Sequence, residues 1–165
     1  MAALLQLHGV PAELLCLEIT EHGVISDLAD TMSVLEDLRA LGVRLSVDDF
    51  GTGYSSLSYL SRLPVNEVKI DRHFVTGLDR DPQCRAIVRS VVDLGQNLGL
   101  RVVAEGVESL ATWEQLVDMG CDLAQGFLLA RPMPVDEISV WLDVHHQRGN
   151  AVGQPRPRRL RAANR

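Results

Sequence analysis

Three times the chain runs the end of an apolar helical stretch into a glycine and straight out into a strand-like segment. The copies are Leu41-Gly42-Val43-Arg44-Leu45, Leu98-Gly99-Leu100-Arg101-Val102 and, more weakly, Met119-Gly120-Cys121-Asp122-Leu123. A recurring helix–glycine–strand unit constrains the fold more than any other feature here. A short connection from helix to strand, repeated, implies strands that run parallel and are joined by crossover helices. A repeated βα unit favours a (β/α)₈-type barrel over a doubly wound sheet.

The rest of the pattern fits that alternation. Strands are expected over Leu14–Ile19, Val43–Val47, Glu67–Ile70, Arg101–Ala104 and Leu123–Leu128. Helices are expected over Asp27–Leu41, Ser56–Leu63, Pro82–Leu98, Leu110–Met119 and Val135–Val144, with Asp27 as an N-cap, and Met1–Gly9 reads as the tail of another helix. Pro82 near a first turn and Gly99 just past a last one are the start and stop signals of a helix.

Each of the five strands delivers a polar group where its apolar run ends: Glu18, Asp48 with Asp49, Lys69, Glu105 and Gln125. In barrel enzymes the C-terminal rim of the strands holds the active site. Any one such residue is explained by water beginning at a strand end; five in succession, four of the strands ending in an ionisable group, point to a site. Carboxylates without His or Cys partners suit a hard cation, Mg²⁺ or Mn²⁺. Adjacent Asp48 and Asp49 are costly to hold together unless a cation neutralises them. Both can face one site only if the strand ends there and the backbone turns, for which Phe50-Gly51-Thr52-Gly53 is the expected turn.

Composition excludes some classes. The three cysteines are odd in number and far apart, which argues against a disulfide framework or a zinc cluster and for a reducing cytoplasm. Met1–Val10 has no basic stretch or small-residue cleavage pattern, and no apolar run is long enough to span a bilayer. Net charge is -6, yet the last fifteen residues hold five arginines and no acid. An acidic body is a poor nucleic-acid binder, so no DNA partner is expected. Residues 147–165 read as an Arg/Pro-rich disordered tail following a domain over residues 1–146. His145 and His146 are not expected to bind metal, and Trp113 and Trp141 sit at helical positions suited to packing.

Glu18-Ile19-Thr20-Glu21, Asp48-Asp49-Phe50-Gly51-Thr52-Gly53-Tyr54-Ser55-Ser56, Val68-Lys69-Ile70-Asp71, Ala104-Glu105-Gly106-Val107-Glu108, Gln125-Gly126-Phe127 and Arg131-Pro132-Met133-Pro134 stand in one order along the chain. That series resembles the EAL domain over about Leu4 to Leu142. The nine-residue stretch from Asp48 is the specific part; the others alone are weak. The resemblance implies a TIM-like barrel and metal-dependent hydrolysis of cyclic di-GMP to linear pGpG. It implies Glu18, Asp48, Asp49 and Glu105 as metal ligands, with Asp48 bridging. Lys69 resembles the lysine that contacts the attacking water, and Gln125 a supporting residue. Glu21 and Thr52 match positions of the loop linked to dimerisation and metal binding, while Asp71 and Glu108 match family positions of less defined role.

The Glu-Ala-Leu motif that names the family, and an Asn ligand, have no counterpart in this sequence. The resemblance therefore implies an incomplete barrel of about five C-terminal βα units. Such a chain is expected to be inactive or feeble alone, and to self-associate or need an N-terminal half. The alternative is a non-catalytic module that senses cyclic di-GMP or docks a protein. Another metal-dependent barrel enzyme, of enolase type, fits the stretch from Asp48 poorly.

Overall fold

The computed structural model describes residues 1–20, 28–52 and 60–151. Helix α1 (Ala2–Leu7) leads through a 3₁₀ turn to strand β1 (Cys16–Thr20). Then follow α2 (Leu28–Ala40), β2 (Arg44–Phe50), β3 (Glu67–Ile70), α3 (Arg72–Gly77) and α4 (Pro82–Leu98). The described part closes with β4 (Arg101–Glu105), α5 (Leu110–Met119), β5 (Leu123–Gln125) and α6 (Val135–Ala151).

All pairings are parallel, and the strands lie in sequence order, β1 to β5. Strand order that follows chain order is the barrel-type arrangement; a doubly wound sheet would reverse direction from its first strand. The fold is therefore α/β, a five-stranded parallel sheet in chain order with helices among its described connections, as the repeat implied. Gly42, Gly99 and Gly120 all have positive φ, so each copy of the repeat ends its helix in the same left-handed turn.

The helices start on local signals. Asp81 accepts from Gln83 N at 2.8 Å ahead of Pro82, and Ser109 accepts from Thr112 N at 3.0 Å. Helix α4 buries Cys84, Val88, Val91, Val92 and Gly95, one stripe at helical spacing that packs on the sheet.

Register decides which face of the sheet does what. Glu18 lies opposite Ser46, Ser46 opposite Glu67, Lys69 opposite Val103, and Glu105 opposite Gln125. Cross-strand partners share a face. Glu18, Ser46, Asp48, Glu67, Lys69, Glu105 and Gln125 therefore all line one side of the sheet. The alternate positions, Leu17, Ile19, Leu45, Val47, Val68, Ile70, Val102, Ala104 and Ala124, belong to the hydrophobic core or pack against it. Parallel strands buried on both sides are usually apolar throughout. Here one face is apolar under the helices and the other carries the charge.

Several boundaries move from the sequence expectation. The first strand begins at Cys16, because Ala12–Leu14 winds into the 3₁₀ turn. Strand β2 continues to Phe50 and β5 stops at Gln125, where Leu129 N and Ala130 N both turn back to Gly126 O. Helix α6 runs on to Ala151. Most of the expected Ser56–Leu63 helix, and the Asp27 cap, lie outside the described residues.

Candidate functional site

The site is built where β1, β2, β3 and β4 end on the charged face. Its centre is Lys69, a buried lysine whose side chain is 6% exposed. Its Nζ lies 2.6 Å from Glu105 Oε1, 2.7 Å from Glu18 Oε1 and 3.2 Å from Asp48 Oδ1. Burial alone would make the ammonium easier to discharge. Hydrogen bonds to Glu105 and Glu18 outweigh that and hold its pKa raised, so the charge is fixed.

Asp48 and Asp49 reach the same place through a β-bulge. Val47 pairs with Val68 but Phe50 pairs with Ile70, so β2 spends three steps where β3 spends two. The extra residue breaks the strict alternation that would send neighbouring side chains to opposite faces. Asp49 takes it up with φ of 55°, the sole non-glycine residue with positive φ among those described. A left-handed aspartate is strained backbone, and such strain gathers at functional sites. The bulge also returns Phe50 to the core, where it is 7% exposed. The expected turn at the strand end is present, with Thr52 N closing on Asp49 O and Gly51 at positive φ, and the register against β3 adds a kink inside the strand before it.

Thr52 holds this geometry: both its N and its Oγ1 donate to Asp49 O, at 3.3 and 2.9 Å. Asp71 has two partners. It caps α3 by accepting from His73 N at 2.7 Å, and its carboxylate acts on Asp49. The Asp49 carboxyl is raised by burial first, then by the charges of Asp48 and Asp71 and a hydrogen bond with Asp71.

Asp48, Asp49 and Glu105 each offer a ligand oxygen, all within 4.8 Å of one another. Asp48 Oδ1 is buried with no donor aligned on it, despite the ammonium 3.2 Å away. An all-oxygen donor set and converging like charges fit a hard divalent cation. Glu18 joins them through the shared Lys69.

The other expected residues lie further out. Gln125 and Glu108 are exposed, and the backbone of Gln125 accepts from Val107 N at 3.0 Å. Glu21 lies outside the described residues. Sequence reasoning gave no special role to Phe127, which is half exposed beyond β5 with the Arg131 guanidinium 4.8 Å over its ring. Its signal was an aromatic two residues past a strand-end Gln.

Five parallel strands in chain order, with four carboxylates and a lysine gathered at their ends, define a barrel-type domain with an acidic, cation-suited rim site. The chain belongs to the EAL domain family, whose model matches residues 1–132. It is 50% identical over 131 residues to the bifunctional diguanylate cyclase/cyclic di-GMP phosphodiesterase MucR of Pseudomonas aeruginosa, a match covering 79% of this chain and 19% of MucR. The structure of the MucR phosphodiesterase in complex with cyclic di-GMP superposes with TM-score 0.78 and 49% identity, over 81% of this chain and 54% of that one. The EAL domain of Mycobacterium smegmatis DcpA gives TM-score 0.81 and 44% identity, over 87% and 64% of the two chains. A Klebsiella pneumoniae BlrP1 complex with manganese and cyclic di-GMP gives TM-score 0.74 and 40% identity, over 79% and 33%. The chain thus spans about half to two thirds of the MucR and DcpA structures, and about a fifth of the whole MucR protein.

Proposed function

We propose that this chain carries the rim site of a cyclic-di-GMP phosphodiesterase, which opens one phosphodiester of the ring to give linear pGpG. The observation that carries this reading is the convergence of Asp48, Asp49 and Glu105 around Lys69 in a chain 50% identical over 131 residues to part of MucR. Asp48, Asp49 and Glu105 would hold Mg²⁺ or Mn²⁺, with Glu18 beside them on Lys69. Such an ion supplies an activated water and offsets phosphate charge. Lys69 orients that water and faces the developing charge with a cation that cannot discharge at neutral pH. Thr52 and Asp71 keep Asp49 in its left-handed position, and Glu21 steadies the loop that follows. Gln125 and Glu108, exposed at the same rim, contact the dinucleotide.

Calorimetry with cyclic di-GMP, paired with a hydrolysis assay in Mn²⁺, tests the reading. Lys69→Ala should lower turnover about a hundredfold while weakening substrate binding far less. Equal losses in both would remove Lys69 from the chemistry. Binding without any turnover, at every ion and protein concentration, would favour the sensing or docking module.

We also propose that the chain acts as an assembly in the cytoplasm. Among the described residues β1 and β5 each have one strand neighbour in the sheet. Leu14, Leu123 and Phe127 are exposed at or beside these strands. Outer strands flanked by exposed apolar side chains invite another polypeptide. Sedimentation should show dimers or larger species, with turnover rising with protein concentration. A compact monomer with robust turnover is the result that would sink this proposal. No described helix is long and apolar enough to cross a membrane.

A further inference from the structure

Lys69 sits among the same oxygens that a cation would need. Glu105 and Asp48 belong to the trio whose oxygens lie within 4.8 Å of one another, and both are also in contact with the ammonium. A lysine has three N–H donors and no more. Here they face three carboxylates, one on each of β1, β2 and β4, from a position on β3.

We propose that Lys69 is a built-in counter-ion that competes with the divalent ion for Asp48 and Glu105, so that ion loading drives its ammonium off those two carboxylates. The inference rests on the cation-binding reading of the rim. A divalent ion at the Asp48–Asp49–Glu105 trio would stand a few ångströms from a fixed positive charge. Lys69 is 6% exposed, so water screens that repulsion poorly. Glu18 gives the ammonium somewhere to go. It is the Lys69 partner outside the trio, on the outer strand β1, and its side chain is 49% exposed. Asp49 is the one trio acid that Lys69 does not contact as an ion pair, so an incoming ion displaces no ammonium there.

A lysine serving only as a structural ion pair predicts the opposite of a competing counter-ion. In the structural case its loss weakens ion binding, through a looser site, or leaves it unchanged. In the competing case its loss strengthens ion binding even as the fold without ions weakens.

The test titrates Mn²⁺ into the full chain after chelation, reading free ion by electron paramagnetic resonance, with melting temperatures recorded in EDTA. Lys69→Met should bind Mn²⁺ roughly tenfold or more tighter than wild type and melt lower in EDTA. Lys69→Arg keeps the charge and should stay within about threefold of wild type. Equal or weaker Mn²⁺ binding by Lys69→Met overturns the proposal while leaving the cation reading intact. Failure of both wild type and Lys69→Met to bind any Mn²⁺ overturns both. Should Lys69→Met not fold, the ¹⁵N ammonium resonance of Lys69 in the wild-type chain decides. It should shift or exchange faster at saturating Mg²⁺, and an unchanged resonance refutes the displacement.

Discussion

Asp48→Asn should cut Mn²⁺ affinity about a hundredfold and take cyclic-di-GMP turnover down by about a thousandfold. Asp48 is the acid with the most at stake in the rim. It is one of the three converging acids and one of the three Lys69 partners, and its Oδ1 is buried. The amide keeps the shape and loses the charge, so the change reads the electrostatics of ion binding. Fold stability should hardly follow. Lys69 keeps Glu18 and Glu105, and Asp49 loses a like-charged neighbour that raises its own pKa. Melting in EDTA should stay within about 3 °C of wild type. Turnover that survives in Asp48→Asn, or a collapse of the fold alongside the activity, would turn Asp48 from a functional acid into a structural one.

Gly126→Ala should be the most damaging single methyl in the chain, costing about 4 kcal/mol or more. A Cβ there would sit 2.3 Å from both Val107 N and Val107 O, and 2.8 Å from its carbonyl carbon. Those atoms are backbone, and they are fastened on both sides of the glycine. Val107 N donates to Gln125 O, and Leu128 N donates to Val107 O, each at 3.0 Å. No rotamer change can make room, so β5 must part from the segment following Glu105. The melting temperature should fall by about 10 °C, with Gln125 and Glu105 displaced and ion binding lost with it. Gly99→Ala is the control. It also occupies a left-handed position but nothing lies within 4 Å of its Cβ, so it should cost only about 1–2 kcal/mol. If the two variants melt together, the close approach of β5 to Val107 is not holding the rim.

The sequence by itself determined the parts of this protein that are set by neighbours in the chain. Asp81, Pro82 and Gly99 bracket α4, and Ser109 and Gly120 bracket α5, because caps and left-handed turns act within a few residues. The glycine-marked repeat carried the parallel order of the strands, and the polar strand ends carried the rim. Family membership was legible in the stretch beginning at Asp48. What only the tertiary structure decided lies between strands. The bulge exists because β2 must match β3 at both Val47 and Phe50, and no local signal in Val47–Phe50 states that register. It alone turns two adjacent aspartates toward one point, through a strained Asp49. Asp71 matched a family position of undefined role when read along the chain; folding makes it the cap of α3 and a partner of Asp49 at once, since α3 begins where β3 has brought it against Asp49. Lys69 was legible as one polar strand end among five. Its place at the centre, in contact with acids 51, 21 and 36 residues away along the chain, comes from parallel strands that align three carboxylates around one buried ammonium.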